Sequence, residues 1–368
     1  MLHGAKKLSI HRAGIASRIM AMARYCRDQG SHDELIAKTG KRPIMIKITR
    51  RLTLGVLLAM PATQILAQSA WPERPVRLIV PFPPGGSNDI VARFLADSLR
   101  DKLGQPFLVE NRSGAGGNIG ADLVAKATPD GHTLLISAPP AFAINEHLYR
   151  SMPFSPERDL MPVALVAQVP IVLMVPADSP ARSLAELIAM ARREPGRLTF
   201  GSSSIGGTNH LAGELLKSLA AIDIVHVPYR GAAPAMTDLI AGRLQLYFDN
   251  MPGVLPQVRE GRVRALAVAG AERAAALPEL PTMAEAGLPG FEASSWFGMA
   301  ASSGTPPALI SRMNAAVLAA LAEPGLRERL ASAGAEPGKL DAAAFTQFVA
   351  AERERWGRVV RASGARAD

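Results

Sequence analysis

The sequence predicts an α/β protein of two similar lobes with a ligand cleft between them. Three observations point there. From Trp71 onward, apolar runs of strand length alternate with amphipathic helical stretches. At 368 residues the chain exceeds what one hydrophobic core usually fills, so two domains are expected. Four strand-to-helix turns are rich in glycine and hydroxyls, two in each expected lobe, as a cleft gripping one ligand from both sides requires.

The elements follow in order. Residues 76–81 read as a strand, and 90–99 place Ile90, Val91, Phe94, Leu95 and Leu99 on one helical face. A strand at 107–110 precedes a helix at 121–127, stopped by Pro129, Asp130 and Gly131; a strand at 133–137 comes next. The apolar stretch 163–175, interrupted by Pro170, is long enough to bridge two domains. A second set then runs helix 184–193, strand 198–200, helix 210–220, strand 224–227, helix 235–241 and strands 244–248 and 263–268. Proline and glycine make 277–290 a loop. A strand at 294–301 returns, and helices at 307–322 and 345–362 close the chain. The strands are expected to be mostly parallel, and no internal repeat is evident. This assigns 68–172 and 290–368 to lobe 1 and 173–289, inserted between them, to lobe 2.

The formal charge of +9 by itself suggests nucleic acid or an anionic membrane as partner. Its distribution removes that reading. Residues 1–67 carry twelve basic and three acidic side chains, whereas 68–368 hold 29 of each sign. Lys47, Arg50 and Arg51 precede the apolar run 52–60, then Pro61 and small residues, which is the layout of a signal peptide over 45–67. That run is far shorter than the ~20 residues that span a bilayer. Cleavage is expected near Ala67 or Ser69, and the arginine pair also permits twin-arginine export. Residues 1–44 read as an over-extended N-terminus with Met45 as initiator, or as a basic extension of the signal. Cys26 is the sole cysteine and lies in that stretch, so the mature part is expected to have none. The histidines after residue 67 (His132, His147, His210, His226) lack metal-ligand spacing. Neither cofactor, metal nor nucleic acid is expected.

The first turn is Pro81-Phe-Pro-Pro-Gly-Gly-Ser-Asn-Asp89. Its glycines permit positive φ, and free N–H groups at the helix start suit a carboxylate or phosphate, although a plain turn would look the same. The second, 111–120, tempts a dinucleotide reading, but Ile119 stands where the third glycine belongs. The third, Gly201-Ser-Ser-Ser-Ile-Gly-Gly-Thr-Asn-His210, lacks the nucleophile-elbow pattern because Ile205 replaces its last glycine. His210 can be a base there, or a capping and packing residue. The fourth, 227–235, offers Tyr229 and Arg230; the arginine either grips a carboxylate through two parallel hydrogen bonds or sits solvated on the surface. Asp249 either meets a ligand amine or hydroxyl or caps the next turn.

These motifs, in their order, resemble a known group: the Bug-type extracytoplasmic solute receptors of tripartite tricarboxylate transporters. The resemblance is carried by Trp71-Pro-Glu-Arg-Pro-Val76, the first turn, Glu110-Asn-Arg-Ser-Gly-Ala-Gly-Gly117 and Pro129-Asp-Gly-His-Thr-Leu134. His226-Val-Pro-Tyr-Arg-Gly-Ala-Ala-Pro234, Leu280-Pro-Thr-Met-Ala-Glu-Ala-Gly-Leu288 and Trp296-Phe-Gly298 continue it. The resemblance implies a two-lobed, type II periplasmic-binding-protein-like fold that closes on a small carboxylate and delivers it to membrane permease subunits. It implies a periplasmic monomer without catalytic activity. Carried over, it nominates Gly85, Gly86, Ser87, Asp89, Ala138 and Pro139 in lobe 1, and Ser203, Gly206, Thr208, His210, Tyr229, Gly231 and Asp249 in lobe 2. Arg230 joins them on its chemistry. The rival expectations are a hydrolase using Ser203 and His210, and a ligand-sensing receptor domain.

Overall fold

The computed structural model describes residues 71–367, so the expectations for the signal segment and the stretch before it lie outside the described residues. Ten strands join in one curled sheet, ordered β2-β1-β3-β9-β4-β7-β5-β6, with β8 and β10 also pairing β4. In chain order, β1 (Val76–Val80) leads into helix α1 (Ser87–Leu103), then β2 (Phe107–Asn111), helix α2 (Asn118–Ala125) and β3 (Thr133–Ser137). These three strands are parallel. Helix α1 stops at Gly104, whose φ of +71° puts it in the left-handed region, where its N–H bonds the Arg100 carbonyl at 2.9 Å.

The expected bridge is one unbroken strand, β4 (Leu160–Pro176). It is apolar nearly throughout because both of its faces are buried, and its two-residue period feeds different cores. Ile171, Leu173 and Val175 enter one cluster, while Val172 and Met174 enter another. After β4 come helix α3 (Leu184–Arg193), β5 (Thr199–Ser202), helix α4 (Thr208–Ala220), β6 (Val225–Pro228), helix α5 (Ala232–Ile240), β7 (Leu246–Asn250), helix α6 (Met251–Arg259) and β8 (Val263–Val268). The chain returns through β9 (Ser294–Ser302) and finishes with helices α7 (Pro307–Leu321) and α8 (Pro324–Ser332), β10 (Glu336–Pro337) and helix α9 (Ala342–Ser363).

Two expectations need correcting. The sheet is mixed rather than mostly parallel: β4 runs antiparallel to β7, β8, β9 and β10, and β3 antiparallel to β9. A doubly buried apolar run looks alike in either direction, so sequence pattern does not reveal strand polarity. Helices α6 and α8 were not expected either. Pro252 and Pro256 disguise α6, yet Pro252 lies in the first turn, where a missing N–H costs no helical bond.

Candidate functional site

Two turns from opposite halves of the sheet are built alike. Gly85-Gly86-Ser87-Asn88-Asp89 opens α1, and Gly206-Gly207-Thr208-Asn209-His210 opens α4. In each, the first glycine has positive φ (+81° and +76°) and donates its N–H to the side chain four residues on. Gly85 donates to Asp89 Oδ2 at 3.0 Å, and Gly206 to His210 Nδ1 at 3.1 Å. The asparagines are matched as well. Asn88 donates to the Ile136 carbonyl and accepts from the Ala138 N–H, both at 3.1 Å. Asn209 donates to Ser203 Oγ at 2.8 Å and reaches the Tyr247 hydroxyl at 3.5 Å. The side chains that follow each second glycine thus tie the helix start to neighbouring strands.

Between these turns lies a cavity of about 60 Å³, lined from both halves. The starts of α1, α4, α5 and α6 all reach its wall: Gly86 and Ser87, Gly207 and Thr208, Gly231 and Ala232, and Asn250. None of these four helices has a hydrogen bond from its own N-cap side chain; the His210 N–H of α4 donates to Asn209 Oδ1 at 3.0 Å, and the positive ends of the helix dipoles are left facing the cavity. One first-turn N–H is satisfied across the cleft: Gly253 of α6 donates to Ser87 Oγ at 2.9 Å, and that hydroxyl donates to the Asn250 carbonyl at 3.2 Å. Two wall atoms, Ser204 Oγ and Asn250 Oδ1, are buried without a partner among the described residues. Such atoms are costly unless a ligand or water bonds them.

Among the described residues, Asp249, at the end of β7, is the one ionisable side chain on this wall. Burial pushes its carboxyl up to about 6, against the opposing hydrogen bonds from the Asn250 N–H and Tyr247. Asp89 behaves oppositely. Burial works to raise it, but hydrogen bonds from Arg93, the Gly85 N–H and Asn111 outweigh burial and hold it below the usual carboxylate range. Behind the α4 turn, the rings of His210 and His226 stack with centroids 3.9 Å apart. His226 Nε2 meets Ser202 Oγ at 2.7 Å. Burial lowers both imidazoles, His210 to about 3 with help from the His226 and Lys217 charges, and His226 to about 4 with help from Lys217.

The structure therefore sorts the nominated residues. Gly86, Ser87, Ala138, Ser203, Thr208, Gly231 and Asp249 line the inner cavity. Gly85 and Gly206 do not, because their N–H groups are spent on Asp89 and His210, which are braces behind the wall rather than part of it. Pro139 gives way to Pro140, which the wide turn Pro140–Ile144 brings to the wall. Tyr229 and Arg230 line an adjoining outer chamber of about 640 Å³. The Tyr229 hydroxyl is itself occupied, donating to Asp238 at 2.7 Å. The hydrolase pair does not assemble: Ser203 Oγ accepts from Asn209 while His210 Nδ1 accepts from Gly206. Sequence reasoning missed Phe82, Asn88, Asn209, Asn250 and Phe297 on the wall. The repeated Gly-Gly-(Ser/Thr)-Asn pattern was the available signal for the two matched asparagines.

A sheet shared by two halves, with four helix starts converging between them, defines the class of solute-binding proteins. The family described as "Tripartite tricarboxylate transporter family receptor" matches residues 91–365, and the chain belongs to that family, whose members are receptors and not enzymes. It is 40% identical to the protein BugT of Bordetella pertussis over 324 residues, covering 87% of this chain and 99% of that one. Among solved structures, R. palustris Rpa4515 with adipate matches with a TM-score of 0.79 at 42% identity, covering 80% of this chain and 99% of that chain. MatC from Rhodopseudomonas palustris with bound malate matches with a TM-score of 0.75 at 34% identity, covering 79% and 100%.

Proposed function

We propose that this chain is a periplasmic receptor that captures a small carboxylate between its two lobes and delivers it to the permease subunits of a tripartite tricarboxylate-type transporter. In this reading the signal segment 45–67 directs export and is cleaved near Ala67 or Ser69, and the mature chain acts as a monomer. The observation that carries the reading is the convergence of four helix starts without N-cap side-chain bonds on a cavity whose wall, among the described residues, holds no lysine or arginine. A carboxylate there is held by dipoles and backbone donors rather than by a countercharge. The adipate and malate of the two R. palustris proteins supply the ligand chemistry.

Asp249 adds a condition. An anion arriving beside it favours its protonated form, so affinity rises as pH falls from 8 towards its value of about 6. The test is a thermal-shift titration of the mature chain with malate, adipate and an organic-acid panel at pH 8 and pH 6. A saturating ligand should raise the melting temperature, by ~2.7 kcal/mol of added stability at a hundred times Kd, and more at the lower pH. Absence of any shift across the panel sinks the reading. Delivery is checked separately: deleting the gene should abolish cellular uptake of the same acid.

A further inference from the structure

Helix α6 is capped from across the cleft. Its own N-cap residue is Asn250, one of the residue types best suited to that position, yet the Asn250 side chain makes no capping bond. The first-turn donor open to a cap is the Gly253 N–H, because Pro252 before it has none. That N–H donates at 2.9 Å to Ser87 Oγ, which belongs to the start of α1 in the opposite half of the sheet. A hydroxyl from the other half thus makes the bond that an N-cap side chain makes. The same hydroxyl donates to the Asn250 carbonyl at 3.2 Å.

Two further observations bear on this contact. Gly253 lies inside the helix without a positive φ, so its backbone does not call for glycine, and glycine there weakens a helix relative to alanine. What calls for glycine is room: a Cβ would stand 2.9 Å from Ser87 Oγ. Asn250 Oδ1, meanwhile, is buried without a partner among the described residues. The atom suited to cap α6 is idle while Ser87 holds its donor.

We propose that α6 exchanges N-caps as the two halves move: Ser87 caps it when they meet, and Asn250 caps it when they part. This rests on the receptor reading above only for the movement itself. Separation then leaves no orphan N–H, because Asn250 takes over the donor that Ser87 releases. Closure leaves Asn250 Oδ1 unpaired, a cost that favours the open state until a ligand or water meets that atom. Asn250 is in this way a positioning residue that sets the balance between the two states.

The test is calorimetric titration of the mature chain with malate and with adipate, as wild type, Asn250→Ala and Gly253→Ala. A cap is worth roughly fivefold in an equilibrium, so Asn250→Ala, which removes the rival cap, should bind roughly fivefold more tightly. Gly253→Ala, whose methyl group displaces the Ser87 hydroxyl, should bind roughly fivefold more weakly. Its melting temperature should be no lower than that of the wild type, since alanine suits the helix. Gly253 is not on the cavity wall, so that loss is not the loss of a ligand contact. Weaker or unchanged binding by Asn250→Ala overturns the inference, as does wild-type affinity in Gly253→Ala. Nitroxide labels on Ile119→Cys and Ile240→Cys, one exposed site in each half, read the movement without ligand, and residues 68–368 hold no cysteine of their own. The short-distance population should grow in Asn250→Ala and shrink in Gly253→Ala; one distribution for all three proteins overturns the inference. A wild type that binds neither acid counts against the receptor reading, and the label distances then decide the cap exchange alone.

Discussion

The turns that open α1 and α4 do the same task with opposite materials. Each presents a helix start to the cavity and fixes the glycine before it through a side chain in the first helical turn. The α1 turn is braced ionically: Asp89 takes two hydrogen bonds from Arg93 and one each from Gly85 and Asn111. The α4 turn is braced by neutral rings, with His210 stacked on His226 and its Nδ1 free to accept only while unprotonated. The difference teaches that the shape of an anion site can be conserved within one molecule while its electrostatics are not. An acidic brace tolerates acid down to its lowered carboxyl range; an imidazole brace resists protonation and loses its acceptor once protonated.

The largest expected effect separates the two glycines. A Cβ on Gly206 would run into Leu148 Cδ1 from the other half of the sheet, at a φ of +76° that disfavours any side chain. A Cβ on Gly85 meets nothing within 4 Å. Gly85→Ala should therefore cost only left-handed strain, ~1–2 kcal/mol, whereas Gly206→Ala adds ~1–3 kcal/mol of overpacking and weakens ligand binding. Denaturant melts and ligand titrations of both variants check this. Equal effects would break the comparison.

A smaller contrast concerns the asparagines. Asn88→Ala strands a backbone carbonyl and an N–H at Ile136 and Ala138, a loss of about 2–3 kcal/mol. Asn209→Ala frees two hydroxyls, on Ser203 and Tyr247, that can turn to other partners, and strands one backbone N–H, that of His210, so about 1–2 kcal/mol is expected. Denaturant unfolding of the two variants gives the order directly.

The smallest effect is in pH. Imidazoles lowered from 6.5 to about 3 and about 4 favour the folded state above pH 6.5, and that contribution drains away as pH falls from there through 4 towards 3. The lowered Asp89 contributes above 3.8 and is lost only below it. Melting temperature should thus decline between pH 6.5 and pH 4 in the wild type and in Asp89→Asn, and decline less in His210→Gln. An unchanged slope in His210→Gln would show that the ring pair is not the acid-sensitive brace.

Much of this was legible in the sequence, and the gaps have physical causes. Apolar runs and helical spacing located β1, α3, β8 and the long β4 within a few residues, because burial imposes periodicity on both element types. The glycines Gly85 and Gly86 and the hydroxyls of Ser202, Ser203, Ser204 and Thr208 mark the turns as anion-binding. The resemblance nominates Asp89 and His210 for the ligand, with capping and packing the alternative for His210, and spacing does not reveal direction: a side chain in the first helical turn can reach back along the chain, and these two do. Phe297 escaped because an apolar residue on a return strand looks like core. The Gly-Gly-(Ser/Thr)-Asn pattern that recurs at 85–88 and 206–209 is only four residues long, too short to stand out as a repeat.

Strand β4 has a mechanical consequence. It pairs β9 as far as Pro170, opposite Ser294, and then switches to β7 and β8 from Ile171 and Val172 onward. The changeover falls at a proline, which has no N–H to contribute to either ladder. Any rotation of one half of the sheet against the other must wind this strand about its own axis there, like a torsion bar clamped at both ends. A twist taken up at that point would strain backbone rather than tear ladder bonds, because the β9 pairing ends there and the β7 and β8 pairings begin.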